Sequence, residues 1–316
     1  MPKKFIFALS FIMLGLTVTA QVSNRNSLTL DTTLGLLSGT AEEIVYMDNR
    51  ASTLASELLW NFSPLVYAGI DLNLNLHIPN TRFNFIADVR SKFGFANGES
   101  IVEDRDWMYV DYPLVLSHYS VHDNETDSAI LLDFDAGISF TVFNQFILKT
   151  FLSYSYMHFA WTAKGGAFLY PDVHGGHSLI WPPSTVVGTY EQTWNILSPG
   201  VSFYGDFNPF FGIELFLKIS PIVWCSSIDN HILRDLVITD SMFGGIFMEP
   251  GFYFSFKPGD SVTLILYGSY RYNSGLRGDG VYDEIGKPVL VHENGAGSGF
   301  TASNFGIKAR FSLNIF

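Results

Sequence analysis

Cysteine is almost missing: Cys225 is the only one in 316 residues. No intrachain disulfide can form, and no thiolate metal cluster can be built. A lone buried thiol is the plain reading of that position. Charge is scarce as well. Charged residues make up 15% of the chain, against about a quarter in a typical soluble domain. Bases are the scarcer sign, with 18 Lys and Arg against 30 Asp and Glu, a net charge of −12. That balance disfavours nucleic acid as a partner and favours cationic ligands. Beyond residue 20 there is no 18-residue apolar run free of charged or turn residues, so no helical membrane span is expected. Yet hydrophobic residues are 47% and aromatics 16%. Apolar, poor in charge and without a helical span is the outline of a transmembrane β-barrel.

The N-terminus supports export. Met1-Pro2-Lys3-Lys4 is a basic start, Phe5 to Thr17 an apolar run, and Val18-Thr19-Ala20 a small-residue cleavage site before Gln21. Residues 1–20 therefore read as a signal peptide and 21–316 as the barrel. Loss of Lys3 and Lys4, the only charges in residues 1–20, takes the net charge from −12 to −14.

Period-two patterning predicts the wall. Ile70, Leu72, Leu74, Leu76 and Ile78 alternate with Asp71, Asn73, Asn75 and His77. Ile213 to Ser220 and Ile307 to Ile315 repeat the pattern, and the chain stops on an aromatic, Phe316. Apolar residues outward and polar residues inward suit a wall between lipid and a wet lumen. Tight turns are predicted at Pro79-Asn80, Asn144-Gln145, Asn208-Pro209 and Pro258-Gly259-Asp260. Long loops are predicted near residues 48–56, 97–122, 164–189, 229–241 and 273–303. Four turns and five loops join ten antiparallel strands, with turns and both termini periplasmic and loops extracellular. Trp60, Trp107, Trp161, Trp194, Trp224, Tyr267, Tyr270 and Tyr272 fall near predicted strand ends, where an interfacial girdle is expected.

Three i, i+2 pairs carry candidate chemistry, because that spacing aims both side chains at one face of a strand. In Asp229-Asn230-His231, an imidazole titrating near neutrality could take a proton from water while the carboxylate fixes its tautomer. A polar loop end is the plain alternative. In Asp104-Arg105-Asp106, two carboxylates sharing a site cannot both ionise freely, and could hold a water and pass a proton. A solvated acidic loop is the alternative, and the spacing for a calcium loop is absent. In Ser120-Val121-His122, a nucleophile pair is conceivable, but a polar lumen-facing strand end is the favoured reading. His174-Gly175-Gly176-His177 offers only two metal ligands, so no metal site is expected. On the predicted topology all three pairs, together with Glu43, belong to the extracellular side.

Taken in order, these segments resemble the omptin family of outer-membrane proteases. The resemblance runs through Leu37-Ser38-Gly39, Glu42 to Tyr46, Asp104 to Met108, Ser120 to His122, Thr162 to Gly166, Trp224, Asp229 to His231 and Asn294 to Gly297. It implies a ten-stranded barrel with its site in an extracellular groove of the bacterial outer membrane. It implies a dyad, Asp229 and His231, that activates the attacking water, and a facing pair, Asp104 and Asp106, that positions it. Glu43 would bind a basic side chain before the scissile bond, with Ser120 and His122 near the groove. Peptides or proteins, host proteins among them, would be the substrates. No cofactor is implied, although lipopolysaccharide or another outer-membrane lipid could be needed for activity. The chain departs from the family pattern twice. Ser227 or Ile228 stands where a second acidic specificity residue is expected. His158 and Thr193, beside Tyr154, stand where lipid-binding arginines are expected. An idle adhesin or a small pore on the same barrel is the rival reading.

Overall fold

A computed structural model describes residues 26–47, 53–109, 112, 114–142, 146–170, 176–259 and 262–313. The expected signal peptide, the Asn144-Gln145 turn, His174 and Phe316 lie outside the described residues, as does the side chain of His177. The segments are β1 (Ser27–Tyr46), β2 (Leu54–His77), β3 (Phe83–Asn97), β4 (Ser100–Asp106), β5 (His118–Val142) and β6 (Phe146–Tyr170). There follow β7 (His177–Asn208), β8 (Phe211–Ser220), β9 (Val223–His231), β10 (Leu236–Phe256), β11 (Val262–Glu284) and β12 (Leu290–Leu313), with one 3₁₀ turn at Ile232–Arg234. Every pairing is antiparallel, and β1 pairs with both β2 and β12, so the sheet closes with no open edge. β3 and β4 both lie between β2 and β5, while β8 and β9 both lie between β7 and β10. Each couple is one interrupted stave. Twelve segments thus make the ten staves expected from the sequence.

The alternation that predicted the wall is obeyed. Ile70 is 44% exposed and Leu72 43%, whereas Asp71 between them is 1% exposed. Phe134, Leu152, Phe203, Leu215, Leu266 and Ile307 continue the outward apolar belt. Hydrocarbon can cover that belt, and closure of the ladder gives each stave a neighbour on both sides to pair its backbone groups, as lipid requires. At the predicted Asn208-Pro209 turn, the Asn208 Oδ1 accepts the backbone N–H groups of Phe210 (2.8 Å) and Phe211 (3.0 Å).

Two expectations are corrected. First, much of the predicted loop sequence is strand. β6 runs to Tyr170 and β7 starts at His177; β11 runs to Glu284 and β12 starts at Leu290. Ladder pairing satisfies backbone groups whatever the side chains, so these polar and Gly-rich stretches extend the wall beyond the lipid. Second, half of the expected girdle is inside. Trp60, Trp161, Trp194 and Tyr267 are buried, while Trp224, Tyr270 and Tyr272 are exposed. The physical reason on β2 is a bulge. Leu37 pairs with Leu65 and Gly39 with Phe62, so Ser63 and Pro64 together oppose Ser38. That extra residue flips the phase. Below it Leu65, Tyr67 and Asp71 face in; above it Leu58, Trp60 and Phe62 do.

The inward rings make a layer across the lumen. Trp60 stacks on Tyr190 with centroids 5.1 Å apart, Phe159 on Trp161 at 5.4 Å, and Phe62 on Phe300 at 5.7 Å. Beneath it, at the level of the lipid belt, buried charges pair off. Arg271 binds Asp133 (2.8 Å) and Glu249 (3.0 Å), Arg310 binds Asp31 (2.7 Å), Lys149 binds Glu214 (2.8 Å), Lys308 binds Asp71 and Arg90 binds Asp135. The cavity among them is about 40 Å³. Side chains fill this lumen, as the size of a ten-stave barrel requires. The aromatic layer is the floor on which the polar groups above it stand.

Candidate active site

On β4, Val102, Asp104 and Asp106 share the inner face. The alternate Glu103 and Arg105 point outward, where Arg105 bridges Glu103 (2.6 Å) and Glu57 (3.3 Å). Such charges on the outer surface place this level above the lipid belt. Asp104 stands beside Leu58 of β2 and Ser120 of β5; Asp106 stands beside Ser56 and His118. Ser56 Oγ donates to Asp104 Oδ1 at 3.4 Å, and His118 Nδ1 lies 3.7 Å from Asp106 Oδ2. Burial, and then the charge of Asp106, push Asp104 up to about 7. Burial raises Asp106 as well.

On β9 the inner face carries Val223, Cys225, Ser227, Asp229 and His231. Asp229 lies between Tyr190 of β7 and Ile238 of β10. Its Oδ2 is 2.7 Å from His231 Nε2, at ion-pair distance. Asp229 is buried, while the His231 side chain keeps 24% of its surface open to the mouth. Burial is the largest single influence and opposes the imidazolium, but the charge and hydrogen bonding of Asp229, with the charge of Asp104, together outweigh it, and His231 titrates above its usual value.

The staves bearing these couples are separated by three others on one side and five on the other. They therefore look at each other across the barrel. The coupling is electrostatic: the charges of His231 and Asp229 act on Asp104, and that of His231 acts on Asp106. All four predicted residues thus share one mouth, at the end opposite the paired β1 and β12 ends at Leu28 and Leu313.

Glu43 joins them from β1. It is 1% exposed, and neither carboxylate oxygen has a hydrogen-bond partner. Burial, then the charges of Asp229, Asp240 and Asp104, hold it well above the carboxylate range. Ser120 and His122 lie at the side. His122 Nε2 is 2.9 Å from Ser120 Oγ, and its Nδ1 is 2.5 Å from the Gly165 carbonyl. A carbonyl only accepts, so Nδ1 carries the proton; burial keeps the ring neutral, and Nε2 accepts from Ser120. Gly166 makes room for this ring. Its φ is +93°, and a Cβ there would stand 2.6 Å from His122 Nδ1. Ser120 and His122 are both buried, so they brace the wall beside Asp104.

Asp240 escaped the sequence reading because residues 229–241 were expected to be a loop. They are two strands. The signal was there: Leu236, Ile238, Asp240 and Met242 alternate as one inward set, with an acid among apolar residues. Asp240 pairs with Ser227 across the ladder and accepts its hydroxyl at 2.9 Å. Burial raises it to about 7, with the charge of Asp229 adding to the effect. On the outer surface His158 Nδ1 contacts Thr193 Oγ1 at 3.0 Å, and Tyr154 donates to Asn195 Oδ1 at 2.6 Å.

Comparison with known proteins gives the family and the fold. Residues 24–313 match the model of the Omptin family. The chain is 25% identical over 261 residues to the outer membrane protease IcsP of Shigella flexneri, covering 80% of each chain. It is 22% identical over 285 residues to Protease 7 of Escherichia coli K12, covering 86% of each. The crystal structure of the outer membrane protease OmpT from Escherichia coli superposes with a TM-score of 0.83 at 17% identity, over 93% of this chain and 99% of that one.

Proposed function

The chain belongs to the Omptin family and lies in the bacterial outer membrane; from that premise we propose that it is a surface-exposed endopeptidase. The attacking group is a water held between the Asp104/Asp106 pair and His231. As water adds to the scissile carbonyl, a C–O bond forms and His231 takes the proton. Asp229 orients the ring and stabilises the imidazolium. Asp104, protonated near neutrality, donates a hydrogen bond to the developing oxyanion. The C–N bond then breaks, and His231 returns the proton to the leaving amine. No covalent intermediate forms.

The observation that carries this reading is the buried Asp229 paired with a half-open His231, within electrostatic reach of two carboxylates across the mouth. Ser120 supports Asp104 and is not the nucleophile, being 2% exposed. A pore is disfavoured by the filled charged layer and the aromatic floor. Substrates are peptides or proteins met at the cell surface, host proteins included.

Where the resemblance expects arginines, His158 and Thr193 bond to each other, so no step is assigned to lipopolysaccharide. The test is to refold residues 21–316 in detergent and offer quenched peptides with Arg-Arg, Lys-Lys or apolar junctions. Cleavage is expected at the basic junctions, with and without lipopolysaccharide, and in the presence of chelators and serine-directed inhibitors. Intact peptides under every lipid condition, with binding to host matrix, would favour the adhesin.

A further inference from the structure

The barrel treats its buried acids in two ways. At the level of the lipid belt, Asp31, Asp71, Asp133, Asp135, Glu214 and Glu249 are each held by a resident Lys or Arg. Above the aromatic floor, Glu43 and Asp240 have no such cation among the described residues. The strongest charges acting on Glu43 are those of Asp229, Asp240 and Asp104, all carboxylates. Both Glu43 oxygens are buried and unpartnered. A buried carboxylate without a partner is costly, and a chain that pairs its acids elsewhere leaves this one open.

Asp240 converges on the same space. It is 3% exposed. Only its Oδ2 is engaged by a side chain, the Ser227 hydroxyl at 2.9 Å. Its other oxygen looks toward Gly280, its ladder partner on β11, where a Cβ would stand 2.9 Å from Asp240 Oδ1. Two tyrosines border both acids, since the charges of Glu43 and Asp240 act on Tyr190 and on Tyr282. The Tyr282 hydroxyl is also buried without a partner. Tyr190 presents an aromatic face stacked on Trp60.

We propose that Asp240 is a specificity-determining residue. With Glu43 it forms a two-carboxylate pocket for the cationic side chain of a peptide substrate. Ser227, on the neighbouring stave, carries no charge of its own and instead orients Asp240 through its hydroxyl. A guanidinium suits the pocket best. Its planar fork can reach two carboxylates, and its face can lie against Tyr190. The role of this pocket rests on the endopeptidase reading; its affinity for a cation does not.

The test uses Asp240→Asn and the double variant Ser227→Asp/Asp240→Ser, which moves the acid back across the ladder. Folding is checked by the heat-dependent shift of the barrel on gels. Peptides carrying Arg or its neutral isostere citrulline are hydrolysed, and an uncleavable reduced-amide Arg peptide is titrated calorimetrically. Asp240→Asn is expected to raise KM for the Arg peptide about 10- to 100-fold, with a much smaller change in kcat. The preference for Arg over citrulline should shrink at least as far, and the double variant should recover most of it. An unchanged preference in folded Asp240→Asn overturns the proposal and leaves the peptidase standing. If wild type hydrolyses nothing but binds the Arg peptide in an Asp240-dependent way, the pocket stands and the peptidase falls. If wild type neither cleaves nor binds it, both fall.

Discussion

Replacing His231 with alanine is expected to lower kcat on an Arg-Arg peptide by ~10²–10⁴-fold, the usual contribution of one general base. His231 is the only imidazole among the described residues that pairs with an inner-face carboxylate at ion-pair distance below 3 Å. The pH profile gives the sign. His231 titrates above 6.5, because Asp229 and Asp104 together outweigh the burial that disfavours its charged form. The base must be neutral to accept a proton, so kcat/KM should rise with pH through a midpoint above 6.5. Asp104, raised to about 7 by burial and then by Asp106, loses its proton and its donor role on the alkaline side. A bell should result, its limbs belonging to the coupled set and not to single residues. The residual rate of the alanine variant should lack the acidic limb. An alanine variant with wild-type kcat would remove His231 from the reaction.

The second large effect is on stability. Arg271→Met is expected to destabilise the barrel by about 3–5 kcal/mol in urea titrations, because it strands buried charges. Arg271 is 1% exposed; its Nε donates to Glu249 (3.0 Å) and its Nη2 to Asp133 (2.8 Å). Lys218, 3.8 Å from each acid, remains as a weaker partner, which places the loss toward the lower end. Adding Asp133→Asn to Arg271→Met should recover part of it. A loss under about 1 kcal/mol would mean that water reaches this layer, and the filled-lumen argument against a pore would fail with it.

Those two results bear on different parts of what the residues announced in advance. The wall was legible because lipid outside and polar lumen inside impose a period of two, and Ile70 to Ile78 states it plainly. The couples proposed to be catalytic were legible for the same reason: i, i+2 on a strand puts Asp104 with Asp106 and Asp229 with His231 each on the inner face. Less legible was anything that depends on a change of phase. The bulge at Ser63-Pro64 turns Trp60 and Phe62 inward, and no local pattern marks it. Polarity also misled. The segments after His231 look like loop, yet strand pairing holds them, and Asp240 therefore arrives in the pocket unannounced. Glu43 could be named from its neighbours in the chain, but its lack of a partner is a property of the folded mouth alone.

The account turns on the acid pair and the acid–imidazole pair meeting across the barrel. The direct measurement is the titration of His231, followed by NMR of histidine-labelled protein, in wild type and in Asp104→Asn/Asp106→Asn. Asp104 favours the charged form of His231, so neutralising the pair should lower the His231 midpoint. A His231 midpoint that stays where it was would place the two couples out of each other's reach and contradict the site described here.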